Sequence, residues 1–187
     1  MKPGLALLPL LLWADSASAH GFGGAGFLHP LTGPDHMLAM IAVGAWSAQL
    51  GGPALWAVPT AFVLAMSLGG AVGMSGLAVP LAEPVILASA ILLGAAIAID
   101  RRFALPLAAA ATALFGFAHG FAHGAELPAQ SDIAIYAAGV LVTTAGLHVL
   151  GLAAGLLILA DPSGRSRLRL SGLGVIALGF GLLVSLG

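Results

Sequence analysis

Long apolar stretches, each about the length of a membrane-crossing helix, follow one another along almost the whole chain. A helix needs about 20 apolar residues to cross the roughly 30 Å hydrocarbon core of a bilayer. Of the 187 residues, 60% are hydrophobic and 7% are charged, whereas about 25% of residues are charged in a typical soluble domain. The chain is therefore predicted to be an all-α integral membrane protein embedded in the lipid bilayer.

Six transmembrane helices can be drawn after residue 20, and they leave no room for a separate soluble domain. Turn-forming segments such as Gly51-Gly52-Pro53 and Asp161-Pro162-Ser163-Gly164 separate them. Residues 20–187 are thus predicted to form a single six-helix transmembrane domain. The predicted spans are residues 31–50, 54–74, 80–99, 103–123, 133–159 and 168–186.

The first nineteen residues have the three parts of a secretory signal peptide. Lys2 supplies the positive end, residues 5–13 the apolar centre, and Ala17-Ser18-Ala19 the small-residue cleavage site. Cleavage would leave His20 at the N-terminus, where the α-amine and the imidazole together offer a chelate for an ion such as nickel, copper or cobalt. Two alternatives stay open: an uncleaved signal anchor, and an ordinary cleavage junction without a metal role.

The arginines predict which side of the membrane each loop faces. After residue 20 the chain has five of them, Arg101 and Arg102 between the third and fourth spans, and Arg165, Arg167 and Arg169 between the fifth and sixth. Basic loops favour the cytoplasmic side. With six spans both termini then lie outside, which is also where a signal peptide would deliver the new N-terminus. We predict a multi-pass protein of the bacterial inner membrane.

A first cluster of ionisable side chains stands at the start of the first span. It comprises His29, Asp35 and His36, within a chain that carries almost no other charge nearby. Ionisable groups are costly in hydrocarbon, so such a cluster is by default a functional site. Pro30 and Pro34 favour a non-helical backbone before Asp35.

A second cluster stands at the end of the fourth span and comprises His119, His123 and Glu126. Residues four apart share one face of a helix, so His119 and His123 are predicted to point together, with Glu126 about one turn further on. Under the predicted topology both clusters lie toward the outer side of the membrane. Two such clusters on one side suggest a route for a metal ion.

Two further residues are candidates at greater depth. Met40 lies one helical turn after His36 and would add a thioether, although methionine more often fills gaps in an apolar core. His148 lies in the middle of the fifth span, where a hydrogen bond across helices is the alternative to a place on a metal route.

The available donor groups restrict the ligand class. The chain has no cysteine, which excludes a thiolate site and leaves nitrogen, carboxylate oxygen and thioether donors. Imidazole and carboxylate suit divalent nickel, cobalt, copper and zinc better than calcium or magnesium. No P-loop is present, so the sequence contains no ATP-binding motif that could drive transport. No prosthetic group and no nucleic-acid partner are expected.

The two clusters together resemble the paired signature of the HupE/UreJ family, small nickel or cobalt permeases tied to hydrogenase and urease maturation. The matching segments are His29-Pro-Leu-Thr-Gly-Pro-Asp35-His36-Met-Leu-Ala-Met40 and His119-Gly-Phe-Ala-His123-Gly-Ala-Glu126. The signal peptide, a histidine at the new N-terminus, six spans and Leu147-His148 extend the likeness over essentially the whole chain. The resemblance implies Asp35 and His36 as central ligands, with His29, His119, His123, Glu126 and His148 along the route.

The expected function is therefore inward movement of Ni²⁺ or Co²⁺ by a permease, without enzymatic chemistry. One alternative is a membrane metal sensor or metalloenzyme-assembly protein that binds the ion without transporting it. A second is an intramembrane metalloenzyme, but Gly120 stands where the HExxH hydrolase pattern requires a glutamate. The likeness to the family also implies maturation proteins of hydrogenase or urease as partners.

Overall fold

The computed structural model describes residues 25–77, 79 and 82–185, and the predicted signal peptide at residues 1–19 and His20 lie outside them. The described part is built from helices joined by short turns, which confirms the all-α class. These helices are α1 (Ala25–Thr32), α2 (Pro34–Leu50), α3 (Ala54–Met74), α4 (Ala82–Ile99), α5 (Leu105–Ala125), α6 (Ile133–Leu159) and α7 (Gly164–Ser185).

Four helices of the described part are long and apolar enough to cross a membrane: α3, α5, α6 and Gly164–Val184 of α7. The bounds of α3 and α6 are those predicted from the sequence, residues 54–74 and 133–159. Helix α2 has 17 residues, and the apolar segment Pro84–Ile99 of α4 is also shorter than a full span. The chain is thus a multi-pass α-helical membrane protein, and the count of six spans stays a prediction.

The first predicted span, residues 31–50, is divided into two helices. The break falls at Gly33, which has extended backbone angles of φ −86° and ψ 107°, and Pro34 opens α2, where its missing N–H leaves no bond unmade. Pro30, expected in a non-helical entry, lies instead inside α1. Packing accounts for this difference, because α1 rests on α6 and Thr143 Oγ1 donates a 3.0 Å hydrogen bond to the carbonyl of Phe27.

Helix α7 begins earlier than predicted, at Gly164 instead of residue 168. Arg165 and Arg167, which precede the predicted span, therefore lie in the first turn of α7, and Arg169 follows in the next one. Arg165 donates a 2.9 Å hydrogen bond to Asp100 Oδ1, and Arg169 Nε donates one of 3.1 Å to the carbonyl of Ala98. These bonds fix the start of α7 to the end of α4.

Helices α3 and α5 pack with their backbones in direct contact. A Cβ atom at Gly116 would overlap the carbonyl oxygen of Phe62, and one at Gly120 would overlap that of Met66. Small residues at such spacing let membrane helices approach closely, and the gain is van der Waals packing. The same close approach occurs at Gly69, Gly73 and Gly124.

Two other helix pairs use the same device. Gly44 of α2 and Gly151 of α6 lie against each other's helix backbone. Gly94 of α4 faces Gly172 of α7 in the same way. The described helices therefore pack largely as close pairs, and α2, which contacts α3, α4, α6 and α7, connects these pairs.

The bundle has two chemically different ends. The ends of α2 and α4 meet where Gln49 Nε2 donates a 2.9 Å hydrogen bond to the carbonyl of Ile97, beside the arginine-rich start of α7. Helix α5 begins near this arginine end and runs away from it, so His119 and His123 lie toward the opposite end. The structure thus separates the basic residues from the histidine clusters.

Replacing Gly120 by alanine should separate α3 from α5, because the added Cβ overlaps the backbone of Met66. Overpacking of this kind costs about 1–3 kcal/mol, so thermal unfolding of the detergent-solubilised protein should occur at a lower temperature. Gly146→Ala is the matched control, since a Cβ there meets no atom within 4 Å, and alanine favours a helix over glycine. Equal unfolding temperatures for the two variants would contradict this packing.

Candidate metal site

Four imidazole rings from three helices form a continuous row at the end of the bundle away from the arginines. His29 of α1 contacts His123 of α5 with ring centroids 4.9 Å apart, and His123 contacts His36 of α2, also at 4.9 Å. His36 in turn meets His119 of α5 at 4.6 Å. Each contact is edge to face. We call these four residues the histidine row.

The α1 and α2 members of the histidine row are partly exposed, whereas the two α5 members are buried. The side chains of His29 and His36 are 40% and 16% exposed, whereas His123 is 3% and His119 0% exposed. Both ring nitrogens of His123 and Nδ1 of His119 lack a hydrogen-bond partner within the described residues. Buried polar atoms are normally hydrogen-bonded, so these nitrogens are available to a ligand.

Asp35 and His36 lie next to each other in the first turn of α2. Asp35 Oδ1 lies 3.2 Å from His36 Nδ1, and a carboxylate in the first turn of a helix is stabilised by the helix dipole. A Cβ at Gly33 would lie 3.1 Å from that oxygen and 3.2 Å from that nitrogen. The absence of a side chain at Gly33 therefore leaves room for the pair.

A contact distant in sequence joins the two clusters. His29 Nε2 lies 3.1 Å from Glu126 Oε2, where α1 meets the end of α5. Glu126 is not on a continued turn of α5, because it caps the helix with φ −92° and ψ 7°. Its hydrogen bond with His29 holds the pKa of the Glu126 carboxyl below its usual value.

Phe62 and His148 continue from the buried end of the histidine row toward the interior. The Phe62 ring lies 5.5 Å from His119 and 4.9 Å from His148. Both ring nitrogens of His148, and Oγ1 of Thr144, lack hydrogen-bond partners among the described residues. His148 also lines an apolar cavity of about 310 Å³ between α3 and α6, which opens at the surface of the bundle beside the exposed Trp56.

The side chains form pairs and contacts instead of one closed coordination shell. No three His, Asp or Glu side chains in residues 25–77, 79 and 82–185 are arranged to hold a single ion. Each carboxylate faces one imidazole, Asp35 with His36 and Glu126 with His29. Met40 is fully buried in the apolar core, in keeping with the alternative of a packing role.

Three residues near the row were not anticipated from the sequence. Ser89 of α4 has its Oγ 3.1 Å from Nε2 of His119, and the Tyr136 ring lies 6.5 Å from that of His29. Ser89 is the single hydroxyl residue within the apolar α4 sequence, which is a signal that sequence reasoning could have used. Phe62 carries no such signal, because it is one of many apolar residues in the α3 sequence.

The fold and the histidine row define the class, a multi-pass α-helical membrane protein with a histidine-lined polar site. The chain belongs to the HupE/UreJ family, whose pattern, described as HupE / UreJ protein, matches residues 6–182. It is also 44% identical over 128 residues to Protein HupE of Rhizobium leguminosarum bv. viciae, covering 68% of this chain and 67% of that relative. No solved structure matches the chain.

This membership confirms the family predicted from the two histidine motifs. The HupE/UreJ family is associated with nickel and cobalt transport or with accessory roles for hydrogenase and urease. The chain therefore belongs to a family of membrane proteins with transport or accessory roles of this kind.

The pairing of His29 with Glu126 predicts how the carboxyl titrates. The pKa of the Glu126 carboxyl is lowered from its ordinary value of 4.5. The stabilisation from its hydrogen bond with His29 is therefore fully present above pH 4.5, where the carboxyl is ionised, and is lost as the pH falls through the lowered pKa. In His29→Phe, which keeps a ring but removes the nitrogens, partial burial should raise the pKa of Glu126. The measurement is infrared titration of the carboxyl band that disappears in Glu126→Gln.

The control for this titration is Leu28→Phe, which changes an exposed neighbour on α1 without touching the pair. Its carboxyl band should titrate as in the unmodified protein. An unchanged midpoint in His29→Phe would show that the contact does not govern the ionisation of Glu126.

Proposed function

We propose that this chain is a permease that carries Ni²⁺, or Co²⁺, inward across the bacterial cytoplasmic membrane. The observation that carries the proposal is the histidine row, which runs from a half-exposed residue to fully buried ones. Imidazole nitrogens without a hydrogen-bond partner in the described part, on the buried His119 and His123, suit an ion that is passed along and released. His20, outside the described residues, would add an outer ligand if the signal peptide is cleaved.

The paired side chains suit capture of a divalent transition metal. The nitrogen and oxygen atoms of the two pairs, His29 with Glu126 and Asp35 with His36, are 3.1 and 3.2 Å apart. Two neighbouring ligands at right angles, each about 2.1 Å from one ion, also lie about 3 Å apart. Each pair can therefore close on a cation with small movements, and imidazole with carboxylate favours nickel, cobalt, copper or zinc.

The histidine row supports transfer by ligand exchange. His36 touches both His119 and His123, so an ion held near Asp35 and His36 has buried imidazoles within reach. A site with few fixed ligands releases its ion more readily than a closed four-ligand site. The lack of a preformed three-ligand group in the described residues fits a transport route better than permanent storage.

Phe62 stands between His119 and His148 and forms an apolar barrier in this route. An aromatic ring offers no donor atom to a hydrated cation, so passage requires the Phe62 ring to move. In our proposal the ion waits at the histidine row until this movement exposes His148. Met40 of α2 is buried in the same apolar cluster as Phe62.

The membrane potential supplies a sufficient inward drive. A divalent cation gains roughly 4.6 kcal/mol on moving inward across about 100 mV, twice the value for one charge. In the proposed orientation both termini lie outside and the arginine end faces the cytoplasm, as basic residues favour. Maturation proteins of hydrogenase or urease would receive the metal there.

Uptake of radiolabelled nickel by cells expressing the chain tests the proposal. His36→Ala removes the central imidazole of the row and should lower uptake at least about tenfold, the scale typical of a lost metal-site contact. The control is Met37→Ala, the adjacent and more exposed residue of α2, which should keep uptake at equal protein level. Unlabelled cobalt should compete more strongly than zinc or copper.

The outcomes separate the function classes. Uptake lost in His36→Ala and kept in Met37→Ala supports a permease that uses this histidine. Nickel binding by the purified protein, without uptake above that of empty cells, would favour a sensor or assembly protein instead.

Acidification should weaken uptake, because an imidazole must be neutral to bind a metal ion. Ordinary histidines gain a proton at about pH 6.5, so nickel uptake should fall as the outer pH is lowered from 7 toward about 5. The measurement is initial uptake rate at constant membrane potential. A rate that stays flat over this range would rule out ligation by an imidazole of ordinary pKa at the limiting step.

A further inference from the structure

Ser89 of α4 makes two short contacts in a fully buried position. Its Oγ lies 2.7 Å from the carbonyl oxygen of Ile86 and 3.1 Å from Nε2 of His119. Both Ser89 and His119 are 0% exposed. A serine hydroxyl has a single proton and can therefore donate only one of these two hydrogen bonds.

The two distances indicate where the protons lie. An O–H···O bond is typically about 2.7–2.8 Å long and an N–H···O bond about 2.9–3.0 Å. The shorter contact thus fits the Ser89 hydroxyl donating to Ile86, and the longer one fits His119 Nε2–H donating to Ser89. Ser89 would then act as donor in one bond and acceptor in the other.

The surroundings of His119 favour the same assignment. If Ser89 donated to Nε2 instead, a neutral imidazole would carry its proton on Nδ1. That nitrogen is buried and has no hydrogen-bond partner among the described residues. A buried N–H without an acceptor costs free energy, so the proton belongs on Nε2.

We propose that Ser89 is a positioning residue, which accepts a hydrogen bond from Nε2–H of His119 and leaves the Nδ1 lone pair free for the transported ion. The proposal rests on the proposed function and adds to it the tautomer of the most deeply buried member of the histidine row. Partners of the second ring nitrogen commonly orient a metal-ligating histidine and fix its tautomer. Here a hydroxyl on a different helix performs this role.

The chain offers a matched control. Ser47 of α2 is also 0% exposed, and its Oγ donates a 2.7 Å hydrogen bond to the carbonyl of Gly44, three residues earlier. Ser89→Ala and Ser47→Ala therefore remove the same kind of helical hydrogen bond. The contact with His119 is lost in Ser89→Ala alone, so a merely structural effect should appear equally in both.

The first measurement is solid-state ¹⁵N NMR of the full chain, histidine-labelled and held in lipid bilayers, because protonated and bare ring nitrogens give well-separated signals. The signals of His119 are those missing in His119→Phe. We expect a protonated Nε2 and a bare Nδ1 in the unmodified protein and in Ser47→Ala. In Ser89→Ala this single pattern should change to the other tautomer or to a mixture.

The second measurement is the affinity of the same purified proteins for Ni²⁺, by titration calorimetry. Ser89→Ala should bind about tenfold more weakly or worse, and Ser47→Ala should stay within about twofold of the unmodified protein. A protonated Nδ1 in the unmodified protein, an unchanged pattern in Ser89→Ala, or equal affinities would each overturn the positioning role. If the unmodified chain binds no nickel, the proposed function fails, whereas the nitrogen signals still decide the tautomer.

Discussion

The direct backbone contact between α3 and α5 is the constraint on which the site depends. Because Gly116 and Gly120 have no side chain, the carbonyls of Phe62 and Met66 lie against α5. This contact excludes lipid and water from the same stretch that carries His119. The glycines beside the histidines therefore have a packing role, because they let α5 approach α3 closely enough to bury the imidazoles of α5.

The buried imidazoles are unusual in their lack of hydrogen-bond partners. In a soluble core such rings would find hydrogen-bond partners, yet both nitrogens of His123 and of His148 lack them in the described part. The outer residues differ, because His29 and His36 are each paired with a carboxylate. The histidine row thus combines two imidazoles that are paired with carboxylates and two buried ones, of which His119 contacts Ser89 and His123 has no hydrogen-bond partner in the described part.

Much of the fold followed from hydropathy, since a bilayer requires apolar helices of fixed length. Helices α3 and α6 have the predicted bounds for this reason. The differences fall where tertiary contacts are made: Pro30 is helical where α1 rests on α6, and α7 begins early where Arg165 pairs with Asp100. For the site, periodicity correctly joined His119 with His123 on one helix face. No local pattern could join His29 with Glu126, which lie 97 residues apart.

The sequence by itself determined that the chain is an α-helical membrane protein of the HupE/UreJ family, with two clusters of nitrogen and oxygen donors. Composition, spacing and motif are local properties, so they can be evaluated without knowing how the helices pack. Only the tertiary structure decided the order of the rings in the histidine row. It also decided the hydrogen bond between Ser89 and His119 and the ring contact between Phe62 and His148. These relations depend on which helices touch, and that choice is made by small-residue contacts between helices, which hydropathy does not distinguish.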